Sequence, residues 1–144
     1  MNIKVVQTKE EKKQAFQIRT TVFVEEQNVS MEEEIDEFEE SSIHFIGYEN
    51  NVPVAASRLR WVDEYGKLER ICILKEFRGK SYGTDLIHRM EVEVRKKGYT
   101  KTKLNAQTRA VDFYKRLGYK VISEEFLDAG IPHVTMTKQL THSL

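Results

Sequence analysis

Leu68-Glu69-Arg70-Ile71-Cys72-Ile73-Leu74, followed by Lys75-Glu76-Phe77-Arg78-Gly79-Lys80-Ser81-Tyr82-Gly83-Thr84, is the stretch on which the fold turns. The first seven residues read as a strand entered through a turn at Gly66. Two glycines and a run of small or polar residues then sit where the strand hands over to a helix. From about Tyr82 to Lys97 the apolar residues Tyr82, Leu86, Met90 and Val94 recur every fourth position, and Ile87 widens the stripe. That spacing predicts a helix with one buried face, closed by Gly98 as a left-handed cap. A strand follows at Lys103 to Ala106, so this unit is a strand–helix–strand crossover, expected to be parallel and right-handed.

Upstream, Ile3 to Val6 reads as a short strand. Thr8 with Glu11 is a capping box opening a helix to about Glu26, and Ser30 with Glu33 repeats the signature for a second, short helix. Ile43 to Tyr48 and Val52 to Val62 read as strands joined by a tight turn at Asn50-Asn51, because asparagine tolerates positive φ. Downstream, Thr108 to Leu117 reads as a short helix closed by Gly118. Two more strands, about Tyr119 to Phe126 and Val134 to Gln139, are joined through Asp128-Ala129-Gly130-Ile131-Pro132. The sum is an α+β fold, a mixed sandwich: a mostly antiparallel sheet with one central parallel crossover and flanking helices.

Composition sets the bounds. A chain of 144 residues fits a single domain over 1–144 with a sizeable core. Its 23 basic and 23 acidic residues cancel, which argues against bulk attraction to nucleic acid or an anionic membrane. The single cysteine, Cys72, excludes an internal disulfide and fits a reducing cytoplasm. The start, Met-Asn-Ile-Lys-Val-Val, has no long apolar run, so neither a signal peptide nor a membrane span is expected. His44, His88, His133 and His142 are scattered without metal-pair spacing, and no metal is expected.

The glycine loop has the makings of an anion nest. Gly79 and Gly83 carry no Cβ, first-turn N–H groups point one way, and Arg78 and Lys80 add positive charge. An ordinary turn bearing a solvated basic pair is the other reading. Gly79-Lys80-Ser81 is not a P-loop, whose first glycine would fall at Leu74, inside the strand. The dinucleotide spacing Gly-x-Gly-x-x-Gly is absent as well.

These residues resemble the GNAT N-acetyltransferases. The family signature Gln/Arg-x-x-Gly-x-Gly/Ala is matched by Arg78-Gly79-Lys80-Ser81-Tyr82-Gly83, with Ser81 in place of the middle glycine. Leu68 to Leu74 resembles the family's central strand. Leu104-Asn105-Ala106 through Ala110, Phe113-Tyr114 and Leu117-Gly118-Tyr119 resembles its second motif. Arg19-Thr-Thr-Val22-Phe23-Val24-Glu25-Glu26-Gln27 and Phe126-Leu127-Asp128-Ala129-Gly130-Ile131-Pro132-His133 are similar to the ElaA-like branch.

The resemblance implies an acetyl-CoA-dependent enzyme acetylating a primary amine of a small molecule or peptide by direct attack on the thioester. A non-catalytic acyl-CoA-binding regulatory module of the same fold, or transfer of a longer acyl chain, are the alternatives. It implies that backbone groups of Ile71 and Ile73 hold the pantetheine arm. Gly79, Lys80, Ser81, Gly83 and Thr84, with Arg78, would hold the pyrophosphate, and Asn105 would touch the cofactor. Tyr114 matches the usual acid for the leaving thiolate; its other role is a packing aromatic. Glu69 is a candidate base, placed by alternation on one strand face with Ile71 and Ile73 and opposite Cys72; a salt-bridged carboxylate is the other reading. Arg19, Phe23 and Glu26 recur at helical spacing and, with His133, are candidates for the acceptor site. Phe23 fits the core equally, and His133 a hydrogen-bonded hairpin. The acidic run Glu32 to Glu40 reads either as a solvated face or as a means of steering a cationic amine. Cys72 reads as a small buried apolar residue rather than a nucleophile. The sequence does not fix the oligomeric state, and a homodimer is compatible with it.

Overall fold

The computed structural model describes residues 1–140. Its eight strands form one sheet, and each strand follows from a β-branched or alternating segment. They are β1 (Asn2–Val5), β2 (Ile43–Glu49), β3 (Val52–Val62), β4 (Tyr65–Ile73), β5 (Lys101–Gln107), β6 (Lys120–Val121), β7 (Phe126–Asp128) and β8 (Ile131–Gln139). The order is β1-β2-β3-β4-β5-β8-β6, with β7 also paired to β8. Only β4 and β5 run parallel, joined through the helix α3 (Tyr82–Lys96), as the crossover demands.

Turn chemistry fixes the hairpins. Asn50 and Asn51 take φ of 50° and 68°, the conformation a two-residue hairpin requires. The turn before β4 falls at Asp63-Glu64, not at Gly66, which lies inside the strand. Gly66 is there for packing: a Cβ would stand 2.5 Å from Val94 Cγ2 of α3. The expected strand Tyr119 to Phe126 is divided into β6 and β7. At the break, Ser123 Oγ accepts the Thr135 N–H at 2.8 Å, replacing the ladder.

Helix α1 (Lys9–Arg19) opens on the Thr8–Glu11 capping box. The helix expected to reach Glu26 changes hydrogen-bonding pattern at Thr20, and Thr20–Glu26 is π-helical. The β-branched run Thr20-Thr21-Val22 is poorly suited to an α-helix. A π turn takes up extra residues, so positions beyond it leave the α-helical face. The short helices α2 (Met31–Glu34) and α4 (Val111–Arg116) complete the fold.

The two sides of the sheet have separate cores. On one, Leu86, Ile87, Met90 and Val94 of α3, all fully buried, meet Leu59, Leu68, Leu104 and Met136. On the other, Ala15, Ile18 and Val22 cover Ile46, Ala56 and Cys72. Trp61 packs as a core aromatic, stacked on Tyr99 at 4.5 Å. No helix among the described residues is long and apolar enough to cross a membrane.

Candidate functional site

The two parallel strands pair over only three positions, Gly66–Thr102, Lys67–Lys103 and Leu68–Leu104. Beyond them β4 stays with β3 and β5 stays with β8, so the sheet opens. A cleft of about 520 Å³ fills the opening and reaches both faces of the sheet. Leu68, Ile71, Ile73, Gly83, Phe113 and Tyr114 line it on the α3 side. Phe23, Val29, Glu33, Glu69, Asp128 and His133 line it on the α1 side.

A β-bulge makes β4 diverge. Ala56 pairs with Cys72, but Arg58 pairs with Glu69, so β4 carries one residue more than β3 at this point. Arg70 supplies it, with φ of 55°. The left-handed conformation costs a residue with a Cβ about 1 kcal/mol. The bulge also corrects the expected alternation. Ala56 and Arg58 share a face of β3, so their partners Cys72 and Glu69 share one face of β4, while Leu68, Ile71 and Ile73 pack on the other.

Backbone groups are available at the divergence. The Leu74 N–H bonds Val54 O at 2.9 Å, so by ladder alternation the N–H and C=O of Ile73 turn toward β5. The Ile73 carbonyl is already taken by Arg78 Nε at 2.9 Å. The Ile73 N–H remains for a ligand, as do the backbone groups of Ile71, two residues earlier on the same edge.

At the mouth of the cleft, Gly79 (φ 78°) and Ser81 (φ 65°) both take left-handed conformations. Ser81 thus occupies the conformation that glycine adopts without strain, which explains why it is the irregular residue of this loop. Its side chain makes no capping bond to α3. The first-turn N–H groups of α3 have no intrahelical acceptor either, so they remain free to bind an anion. Gly83 admits close packing by Phe113, whose Cζ lies 3.4 Å from where a Cβ would be. Gly79, Lys80 and Ser81 are exposed and Thr84 is half-buried beside them. Lys80 stands over the Phe77 ring at 5.4 Å.

Two expected binding charges pair with each other instead. Arg78 donates to Glu26 through Nη1 at 2.6 Å and Nη2 at 2.7 Å. That pair holds the Glu26 carboxyl below its ordinary range. Arg78 nevertheless lines the cleft, whereas Glu26 does not. Arg19 is displaced further. It is fully buried beneath the cleft, with Nε on Glu34 Oε1 at 2.7 Å and its two Nη atoms on Glu39 at 2.9 and 2.8 Å. Arg19 ends α1 on the face that buries Ala15 and Ile18, the π turn beyond it shifts the phase of Glu26, and of the three residues only Phe23 lines the cleft.

Glu69 accepts from Arg58 Nη2 and Arg60 Nε, both at 2.8 Å, and pairs with Lys67 at 3.1 Å. Burial alone would raise its proton affinity, but the bond from Arg60 and the charges of Arg58 and Lys67 outweigh it and hold the carboxyl below its ordinary range. The salt-bridged reading is the one the geometry builds. The acidic run also proves to be more than a solvated face. Glu34, Asp36 and Glu39 are counter-charges to Arg19, Arg58 and Arg70, while Glu33 lines the cleft.

Tyr114 is half-buried, packed edge-on between Phe113 and Tyr119. Burial pushes its phenol up to about 12, so it stays protonated at neutral pH. Asn105 Oδ1 accepts from Thr135 Oγ1 at 2.8 Å, and the residue lines the cleft on the α1 side, opposite Leu104 and Ala106. His133 bonds the Ile131 carbonyl through Nδ1 at 2.6 Å as a hairpin residue and also lines the cleft. Burial pushes the Cys72 thiol up to about 12, which keeps it un-ionised. His142 lies outside the described residues. Sequence reasoning missed Arg70, Asp128 and the Gln107–Gln27 side-chain bond at 2.9 Å that spans the cleft. The alternation Arg58-x-Arg60 and Lys67-x-Glu69, in strands otherwise apolar, was the signal for an ionic face.

Residues 7–140 match the family model for the acetyltransferase (GNAT) domain. The uncharacterized N-acetyltransferase YjcF of Bacillus subtilis is 50% identical over 139 residues, covering 96% of this chain and 99% of that protein. Protein ElaA of Escherichia coli is 27% identical over 130 residues, covering 87% of this chain and 85% of ElaA. The ElaA crystal structure superposes with a TM-score of 0.84 at 23% identity, over 96% of this chain and 99% of that one. A GNAT acetyltransferase from Elizabethkingia anophelis with acetyl-CoA bound shares the fold at a TM-score of 0.75 and 14% identity, over 96% and 97% of the two chains. Through its family match, its relatives and the opened sheet, the chain belongs to the GNAT family of acetyltransferases and is related to ElaA.

Proposed function

We propose that this acetyltransferase uses acetyl-CoA to acetylate a primary amine of a small molecule or peptide, by direct attack on the thioester. The observation that carries this reading is the cleft opened by the β4 bulge, which joins the α3 side of the sheet to the α1 side. A thioester entering from one side and an amine from the other can meet there in line.

The residues present fit acetyl-CoA. The N–H groups of Ile71 and Ile73, turned from β3 toward the gap, suit an amide-bearing pantetheine arm as a strand edge suits a peptide. The uncapped start of α3, with Gly79, Ser81, Gly83 and Thr84, suits the pyrophosphate. Lys80 supplies charge at the same place, whereas Arg78 acts by fixing the loop to the π-helical segment. When bound, acetyl-CoA supplies the activated acyl group.

On the α1 side, Phe23 and His133 form an amine-sized wall, and Asn105 lies beside them. Glu33 and Asp128 bring carboxylates within reach of an ammonium, in a cleft that Lys67, Arg70, Arg78 and Arg109 also line. The amine must lose a proton before it attacks. Glu69 is ionised throughout the neutral range, so it can take that proton through water but drives the transfer weakly. The pH dependence of kcat/KM should therefore rise toward the acceptor's own pKa. Tyr114 holds its proton over the same range and is our assignment for the donor to the departing thiolate.

The experiment is thiol release from acetyl-CoA with a panel of amines, with wild type and Tyr114→Phe. Loss of about 10²-fold in kcat, with acetyl-CoA affinity unchanged, is the expected result. Equal turnover by both proteins at every pH removes Tyr114 from the chemistry. Tight CoA binding without thiol release for any amine favours a regulatory module instead.

A further inference from the structure

Arg70 ties the bulge of β4 directly to residues 33–36, which Arg19 and Arg58 also hold from beneath through Glu34 and Asp36. Its backbone is the extra residue of the β4 bulge, next to Ile71. Among the described residues it is the only non-glycine with positive φ inside a strand; Asn28, Asn50, Asn51, Asp63, Ser81 and Ala129 sit in turns and loops. Its side chain crosses to the other side of the opening. There Nη2 donates to the carbonyls of Glu33 at 3.2 Å and Glu34 at 3.3 Å and to Asp36 Oδ2 at 3.2 Å, and Nε donates to the Glu34 carbonyl at 3.3 Å.

Those carbonyls end the one-turn helix α2, where a helix has no backbone partners of its own. A helix this short does not hold its place unaided. The segment it belongs to supplies Val29, Glu33 and Glu34 to the cleft lining. The strained backbone and the anchored guanidinium thus belong to one residue, and a fixed fork of donors meets a fixed set of acceptors.

We infer that Arg70 is a positioning residue that fixes the acceptor wall, residues 29–36, relative to the bulge that presents the β4 N–H groups. This rests on the proposed transfer to an amine. The side chain sets where the amine waits, and the backbone sets where the acyl carbonyl is held.

Arg70→Gly separates the two. Glycine keeps the positive φ without strain and removes only the clamp. The expected result is a rise of about tenfold or more in acceptor KM, comparable to losing one charge-assisted hydrogen bond. Acetyl-CoA affinity and kcat should stay within about twofold to threefold, and millimolar guanidinium should restore part of the acceptor KM. Arg70→Lys, with one donor centre instead of a fork, should fall between. An unchanged acceptor KM, or a parallel fall in kcat, acceptor binding and CoA binding, overturns the inference. Amide hydrogen exchange gives a readout independent of turnover. In Arg70→Gly, residues 31–36 should exchange about tenfold faster while 71–74 keep their protection. Equal protection throughout both segments overturns the inference, even for a protein that acetylates no amine.

Discussion

The two sides of the sheet, a few ångströms apart across β3 and β4, are held by opposite chemistry. On the α3 side the contacts are mostly apolar, with Leu86, Ile87, Met90 and Val94 fully buried, and the buried Glu91 is held by Tyr119 and Lys138. On the α1 side, beside a smaller apolar cluster, Arg19, Arg58, Arg60 and Arg70 interlock with Glu34, Asp36, Glu39 and Glu69. The apolar side is held by close packing, which carries no charge and responds to lost volume. On the ionic side each buried charge depends on partners at fixed angles. The rigid apolar side would carry the cofactor, which must be held the same way for every turnover. The ionic side would shape the acceptor, where geometry decides selectivity.

The largest test of this contrast is Arg58→Ala. Arg58 is 1% exposed and contacts Asp36, Glu39 and Glu69, so its loss leaves buried carboxylates uncompensated. Urea denaturation should show a loss of about 3–5 kcal/mol. Met90→Ala on the apolar side should cost about 2–5 kcal/mol, with the value set by how far the cavity collapses. The contrast is clearest in acid: the difference between wild type and Arg58→Ala should shrink as the carboxylates protonate below about pH 4.5, and that for Met90→Ala should not. Equal responses to acid would break the comparison.

A single carboxylate provides the next test. Burial opposes ionisation of Glu39, but Arg19 and Arg58 prevail and bring its carboxyl down to about 2. A carboxyl depressed in the folded state stabilises the fold above its unfolded pKa, about 4.3, and that contribution is lost as pH falls toward the folded value. Thermal midpoints should therefore decline between about pH 4.5 and pH 2. In Glu39→Gln the midpoint at neutral pH should be lower and its decline through that window shallower.

The smallest effect lies at the start of α3. Ser81→Gly removes the strain of a positive φ and should add about 1 kcal/mol of stability, read as a higher melting temperature, together with tighter CoA binding.

The sheet, the crossover and the buried face of α3 were legible in the sequence because side-chain period and turn residues report backbone geometry directly. Gly79 to Thr84 was legible for the same reason. What escaped was whatever depends on a change of register. The π turn after Arg19 and the bulge at Arg70 each change the phase between the residues on either side, so Glu26, and Glu69 relative to Ile71 and Ile73, were placed by a periodicity that the chain abandons. The acid run was ambiguous because its partners, Arg19, Arg58 and Arg70, lie far away in sequence. Nothing local marks Glu34 as buried and Glu33 as accessible to the cleft.

The three-residue junction between β4 and β5 has a consequence for how the chain can be divided. On either side of it lies an antiparallel array, β1 to β4 and β5 to β8, whose long ladders pair seven positions against three at the junction. Few ladder bonds therefore join the two arrays, and α3 packs over both strands of the junction. The chain between α3 and β5 becomes the natural place to cut the protein into two fragments that recombine.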